Sequence, residues 1–154
     1  MRSALAITGN RIPVMNEDDI NHVCRLEDFI LSLPQVEIDV YHTIHGGMYA
    51  RTIVVPAGIV LTGVVIDLAT ILIVSGHTKV FIGEDVIEIE GYHVIPAGAH
   101  RKQAVATISN TCFTMLFPTQ AKTVKEAEDE FTKESERLAS RLNPDLNHIT
   151  ITGE

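Results

Sequence analysis

The chain has no tryptophan at all, and only three tyrosines and five phenylalanines among its 154 residues. A platform that stacks nucleic-acid bases needs a row of such rings. Basic residues are also short, 12 Lys and Arg against 20 Asp and Glu, which leaves a formal charge of −8. A field of that sign repels phosphate backbones, so a nucleic-acid polymer is not the expected partner, although a local basic pocket remains open. Cysteine is limited to Cys24 and Cys112. Far apart and set among apolar neighbours, they read as reduced core residues and not as a disulfide. No apolar run approaches the ~20 residues that span a bilayer, since Pro56, Gly58, Gly63, Asp67 and Thr70 break the longest stretches. Met1 to Gly9 carries one basic residue and an apolar stretch too short for a secretory signal, so the expected location is cytoplasmic, with no membrane partner.

What is present is a long run of strand-like sequence between two helical ones. After a lead-in with a turn signal at Gly9-Asn10, Asn16 or Asp18 can cap a helix over about 17–33. Ile20, Val23, Cys24, Phe29, Ile30 and Leu33 form its apolar face, and Pro34 ends it. From about 36 to 117 the chain alternates apolar and polar residues in short β-branched segments. The expected strands include Val36–Val40, Thr52–Val55, Ile71–Val74, Lys79–Ile82, Val86–Ile89, Val94–Ile95, Gln103–Ile108 and Thr111–Leu116. Strands at this spacing, without helical periods between them, predict a mainly β sandwich or barrel. A second helix is expected over about 123–142, opened by the capping box Thr123-Val-Lys-Glu126 and striped by Val124, Ala127, Phe131, Leu138 and Leu142. The tail, 143–154, contains His148-Ile-Thr-Ile-Thr, an edge strand for this sheet or a neighbouring subunit. One domain, 1–154, is large enough to bury about two-thirds of its unfolded surface.

Two segments punctuate the β region. Ala50-Arg-Thr-Ile-Val-Val-Pro-Ala-Gly58 leads into Gly58-Ile-Val-Leu-Thr-Gly-Val64-Val-Ile66, and Gly91-Tyr-His-Val-Ile-Pro96-Ala-Gly98-Ala-His100-Arg101 follows Gly76. Their order resembles the paired motifs of the cupin superfamily, G-x5-H-x-H-x3,4-E-x6-G and G-x5-P-x-G-x2-H-x3-N. The resemblance covers about Tyr49 to Phe117 and implies a cupin-like jelly-roll barrel with one N-terminal and one C-terminal flanking helix. In it the two histidines fall on Val64 and Ile66, and the glutamate on Thr70 or Ile71. The last histidine falls on Arg101, or on His100 if the turn is one residue shorter. Transition metals at such sites need converging imidazoles and carboxylates, which Val and Ile do not offer. A guanidinium opposes a cation and suits a carboxylate or phosphate. The resemblance therefore implies no metal and no cofactor. Gly47-Met-Tyr-Ala-Arg51 with Gly91-Tyr-His-Val is also similar to small cupin-like proteins of bacteriophages and prophages.

The expected ligand residues are Tyr49, Arg51, His100, Arg101 and Gln103. Tyr49, Arg51, Ile53 and Val55 share one face by alternation. Arg51 either serves a ligand or pairs with a surface carboxylate. If Arg101 points inward then Gln103 and Val105 do too, while His100 and Lys102 face out. His42 and His45, three apart on a strand, should point to opposite faces. A metal site rebuilt from His45, His93 and His100 is the lesser alternative. Cys112 shows no sign of activation. The leading expectation is a homodimer that binds a small anionic molecule without transforming it, extending to a phage-encoded sponge for a host nucleotide signal. The rivals are a metal-free sugar-type isomerase or epimerase, with a histidine base and a tyrosine acid, and an assembly protein with a filled barrel.

Overall fold

The computed structural model describes residues 11–154. The turn signal at Gly9-Asn10 lies outside the described residues. Helix α1 spans Glu17–Ile30, and Asn16 caps it by accepting a hydrogen bond from the Asp19 amide at 2.8 Å. Glu17, Asp18 and Asp19 in the first turn match the positive end of the helix dipole. The helix stops three residues short of the expected end, because the residue ahead of Pro34 disfavours helical backbone. Gln35 takes over, its amide donating to the Ile30 and Leu33 carbonyls. Of the expected apolar face, Ile20 and Val23 are buried, whereas Phe29 and Leu33 stay exposed.

Eight strands follow: β1 Val40–His45, β2 Met48–Val55, β3 Val60–Thr62, β4 Thr70–Ile82, β5 Asp85–Ala97, β6 Ala104–Thr107, β7 Thr111–Pro118 and β8 Asn147–Ile151. They form one sheet in the order β3-β6-β4-β7-β2-β1-β8, with β5 on the other edge of β4. Every pairing is antiparallel except β1 with β8. The mainly β, half-barrel architecture with flanking helices is the fold class expected. No helix among the described residues is long and apolar enough to cross a membrane.

The four short strands expected between 71 and 95 are two long ones. Gly76 and Gly91, which fall between the expected segments, sit opposite each other inside the β4–β5 hairpin. Both have positive φ, +144° and +92°. They bend the hairpin without ending it, since only glycine takes such backbone at little cost. At this bend β4 changes partner: residues 71–75 pair with β7, and 78–81 with β6. That exchange curls the sheet. Its concave face buries Val55, Val74, Val80, Ile87, Ile95 and Phe113, and further along Tyr49, Met115 and Phe117. Cys24 and Cys112 are free and half-buried.

The single helix expected over 123–142 is a correction. Helix α2 covers only Val124–Phe131, opened by the capping box at Thr123. Thr132 is extended, a 3-10 turn covers Ser135–Arg137, and a short helix α3 spans Ala139–Leu142. The competitor is Asp67, in the loop before β4. Its amide donates to the Phe131 carbonyl at 2.7 Å and its carboxylate accepts from the Lys133 amide at 3.2 Å. Leu142, expected on the apolar stripe, is exposed as a result. The tail strand β8 joins its own sheet alongside β1.

Candidate functional site

The two motif-like segments meet. Ile66 and Arg101 form an isolated antiparallel bridge, amide to carbonyl in both directions at 2.8 and 3.1 Å. Val64, Ile66 and Leu68 pack against the cluster around Tyr49, Met115 and Phe117. Arg101 is fully buried. Its Nη1 donates to the Gly98 carbonyl at 2.7 Å and the Leu68 carbonyl at 3.2 Å, and its Nη2 to the Thr70 hydroxyl at 2.7 Å. These acceptors are all neutral, and the buried Nε has no partner. Among the described residues no carboxylate reaches it, and residues 1–10 contain no Asp or Glu. Burial pulls its pKa down to about 10, so it remains charged at neutral pH.

An open cleft of about 350 Å³ lies beside the residues that hold this guanidinium, and Arg101 itself is not part of its lining. Thr70 and Gly98, which supply two of the oxygens holding Arg101, are part of its lining. Ile71, Pro96 and Leu116 contribute apolar wall, and Arg11 stands exposed at the cleft.

The alternation expected through His100–Gln103 does not hold, because this stretch precedes β6 and is not strand. His100 has φ of +55°, and this left-handed turn lets consecutive residues point inward. Lys102, expected outside, is fully buried. Its Nζ lies 3.1 and 3.2 Å from the two carboxylate oxygens of Glu27 on α1. Arg137 grips the same carboxylate at 2.6 Å. His100 itself faces outward, bonded to Glu17 at 2.9 Å. Gln103 is half-buried, and its buried Nε2 has no partner.

Tyr49 and Arg51 belong to a second cluster. Phe117 and Met115 separate it from Thr70 and Leu72 in the register of the concave face. Arg51 donates to Glu128 at 3.0 Å, to Ser140 at 3.2 Å and to the Tyr49 hydroxyl at 3.3 Å, with its guanidinium over the Phe131 ring. Its carboxylate is thus a buried one on α2, not the surface carboxylate of the sequence reading. Ser140 and Arg141 hold Glu128 from the other side. His42 lies 2.7 Å from the Tyr49 hydroxyl and 2.8 Å from Asn147 Oδ1. Asn147 spends its amide nitrogen on the Ser140 carbonyl, so Oδ1 faces His42 and must accept from Nε2–H. Nδ1 then accepts from Tyr49. The relay therefore requires a neutral imidazole. It also departs from the isomerase pattern, in which a carboxylate would stand where Asn147 stands and the tyrosine would be free to reach substrate.

Burial lowers the His42 pKa, with the Asn147 bond opposing and the Arg51 charge assisting. Burial raises the Glu128 pKa, but Ser140, Arg51 and Arg141 outweigh it and hold the carboxyl below its ordinary value. Burial likewise raises the Tyr49 pKa against the opposing effect of Arg51. Below the ordinary histidine pKa the unfolded chain binds a proton that folded His42 resists. Stability is therefore present above about pH 6.5 and falls as the solution is acidified through it. Glu128 adds a second loss at lower pH, as its depressed pKa is crossed. Urea unfolding between about pH 8 and about pH 5 should show the first slope, and His42→Gln should flatten it.

The remaining histidines are dispersed. His42 and His45 point to opposite faces, as spacing predicted, and His45 bonds Thr152 at 2.7 Å. His93 meets the Glu90 carbonyl. Among the described residues no three His, Cys, Asp or Glu side chains converge as a metal would require. Glu128, Arg141 and Asn147 were missed in the sequence. Glu128 had a legible cue, since it lies one turn after Val124 and beside Ala127 on the buried side of α2.

No family model matches the chain, and no curated protein matches it. Among solved structures it is similar to a cupin superfamily protein from Desulfitobacterium hafniense, at 11% identity over 57% of this chain and 83% of that one, with a TM-score of 0.46. A conserved protein of unknown function from Streptococcus pyogenes matches at 14% identity over 57% and 79%, with a TM-score of 0.39. A cupin-2 domain containing protein from Shewanella frigidimarina matches at 15% identity over 61% and 91%, with a TM-score of 0.37. At such identities the likeness is one of fold alone.

Proposed function

We propose that the protein is a cupin-like binding module that holds a small amphipathic anion, without transforming it, in the cleft lined by Thr70 and Gly98, two of the residues that hold Arg101. The observation that carries this reading is a fully buried guanidinium with no carboxylate partner, two of whose acceptors, Thr70 and Gly98, also line the cleft. A charge taken out of water is costly until it is paired. Thr70 is the natural intermediary. Its hydroxyl oxygen accepts from Arg101, and the residue also lines the cleft, so an anion bound there would feel the charge through Thr70. Arg11 supplies a second positive charge, and Ile71, Pro96 and Leu116 suit an apolar tail or ring. Arg51 is assigned no ligand role, because Glu128 already neutralises it. The nucleotide-sponge extension rests on the resemblance to phage proteins and is tested separately.

Small molecules co-purifying with the protein are identified by mass spectrometry, and thermal shifts are read with octanoate, benzoate and adenosine monophosphate. A ligand at 100 times its Kd stabilises by about 2.7 kcal/mol. Arg101→Met should abolish that shift, Arg11→Ala should weaken it, and Arg51→Ala should leave it in place. No shift with any probe and no co-purifying anion, or an undiminished shift in Arg101→Met, overturns the reading. A response to the carboxylates without one to the nucleotide removes the sponge and keeps the binding module.

A further inference from the structure

We infer that β8 is an acid-released strand, held to β1 through histidines and let go when His42 takes up a proton. Among the described residues, each side-chain hydrogen bond, ion pair and ring contact between 39–46 and 147–154 runs through an imidazole. His42 meets Asn147 at 2.8 Å, and His45 meets Thr152 at 2.7 Å and Glu154 at 3.6 Å. His148 lies 3.6 Å from Asp39 and stacks on Tyr41. Little else anchors the strand. It forms the end of the sheet beside β1, and none of its residues is buried. The Asn147 amide adds one bond to the Ser140 carbonyl.

The three imidazoles answer acid in opposite senses, and burial decides between them. His45 and His148 face carboxylates, so a proton on either favours the closed seam. Both are half exposed, where water weakens an ion pair. His42 is 1% exposed. Asn147 Oδ1 accepts its Nε2–H, and the Tyr49 hydroxyl, which accepts from Arg51, must donate to its Nδ1. A proton added at Nδ1 would set two donors face to face inside the protein. The charged and titratable groups around His42 are Tyr49 and Arg51 on β2 and Glu128 on α2, which Arg141 on α3 also binds. Arg51, Arg141 and Ser140 already occupy Glu128, so it offsets a new charge on His42 only in part. When β8 leaves, Asn147 leaves with it, and the imidazole meets water and protonates near its ordinary pKa of about 6.5. Closing the seam therefore expels a proton below that pH, and the strand opens as the pH falls.

The inference stands independently of the cleft, since its test reads exchange and not ligand. The Thr152 amide, which donates to the Ile44 carbonyl, reports on the seam, and the amides of Val74 and Val80 on β4 report on global unfolding. Hydrogen exchange of the full chain is followed from about pH 7.5 to about pH 5 as protection factors, which removes the intrinsic pH dependence of exchange. Thr152 protection should fall below about pH 6.5 by up to about tenfold per pH unit, the limit for one proton, while Val74 and Val80 stay protected. His42→Gln keeps an amide donor toward Asn147 and a carbonyl toward Tyr49 without a titrating group, and should abolish the fall. His45→Gln and His148→Gln should leave it at least as steep. If His42→Gln does not fold, the wild type still decides. Constant Thr152 protection, or loss at Thr152 and the β4 amides in step, overturns the inference. So does an undiminished fall in His42→Gln, or its disappearance in His148→Gln.

Discussion

Glu128→Ala should cost the protein about 3–5 kcal/mol, the loss expected when one member of a buried ionic cluster is removed and the others stay. The carboxylate has 3% side-chain exposure, and the two arginines it binds have 13% and 12%. Without it, Arg51 keeps the Tyr49 and Ser140 hydroxyls and the Phe131 ring, all neutral, while Arg141 falls back on Asp129 and Glu136 nearer the surface. Arg51 therefore bears most of the penalty. The double variant Arg51→Met with Glu128→Leu should recover a large part of it, because no unpaired charge then remains. Urea unfolding of the single and double variants checks the claim. Losses that simply add would show that the two groups act separately. The same cluster pins the segment after α2 to the concave face, so Glu128→Ala should also open that segment to proteolysis ahead of global unfolding.

Gly76→Ala is the second large effect, at about 3 kcal/mol or more. Its φ of +144° lies in territory that costs a residue with a side chain roughly 1–3 kcal/mol. The new Cβ would also stand 2.7 Å from the Asn110 carbonyl and 2.8 Å from Thr111 Cα, backbone that cannot rotate away. Gly91 offers an internal control. It has positive φ too, but a Cβ there meets nothing within 4 Å. Gly91→Ala should therefore lose only the conformational part, about 1–3 kcal/mol. Equal losses at the two positions would show that the approach of Thr111 does not matter.

Local signals in the sequence were reliable and long-range ones were not. Asn16 and Thr123 cap the helices as their side chains and spacing indicated, and the alternation from β1 to β7 marks a sheet half-buried on one face. Segmentation failed at Gly76 and Gly91, because a glycine that bends a strand looks the same as one that ends it. The helix after Thr123 breaks at the demand of Asp67, far earlier in the chain, and no local propensity carries that information. Alternation from an inward Arg101 placed Lys102 outside, yet both are buried. A single left-handed residue, His100, cancels the two-residue period. The partner of Arg51 is 77 residues away on a helix, so its charge looked available to a ligand when it is already spent.

The parallel pairing of β8 with β1 has a consequence for how the chain is made. The His42–Asn147 bond spans 105 residues, so during synthesis the edge of β1 stays bare until the residues of β8 have been added. Folding can run ahead on the β4–β5 hairpin, but the sealing of β1 by β8 waits for the later strand and is slow in the manner of non-local pairing. A nascent chain held just short of that strand should aggregate through the bare edge.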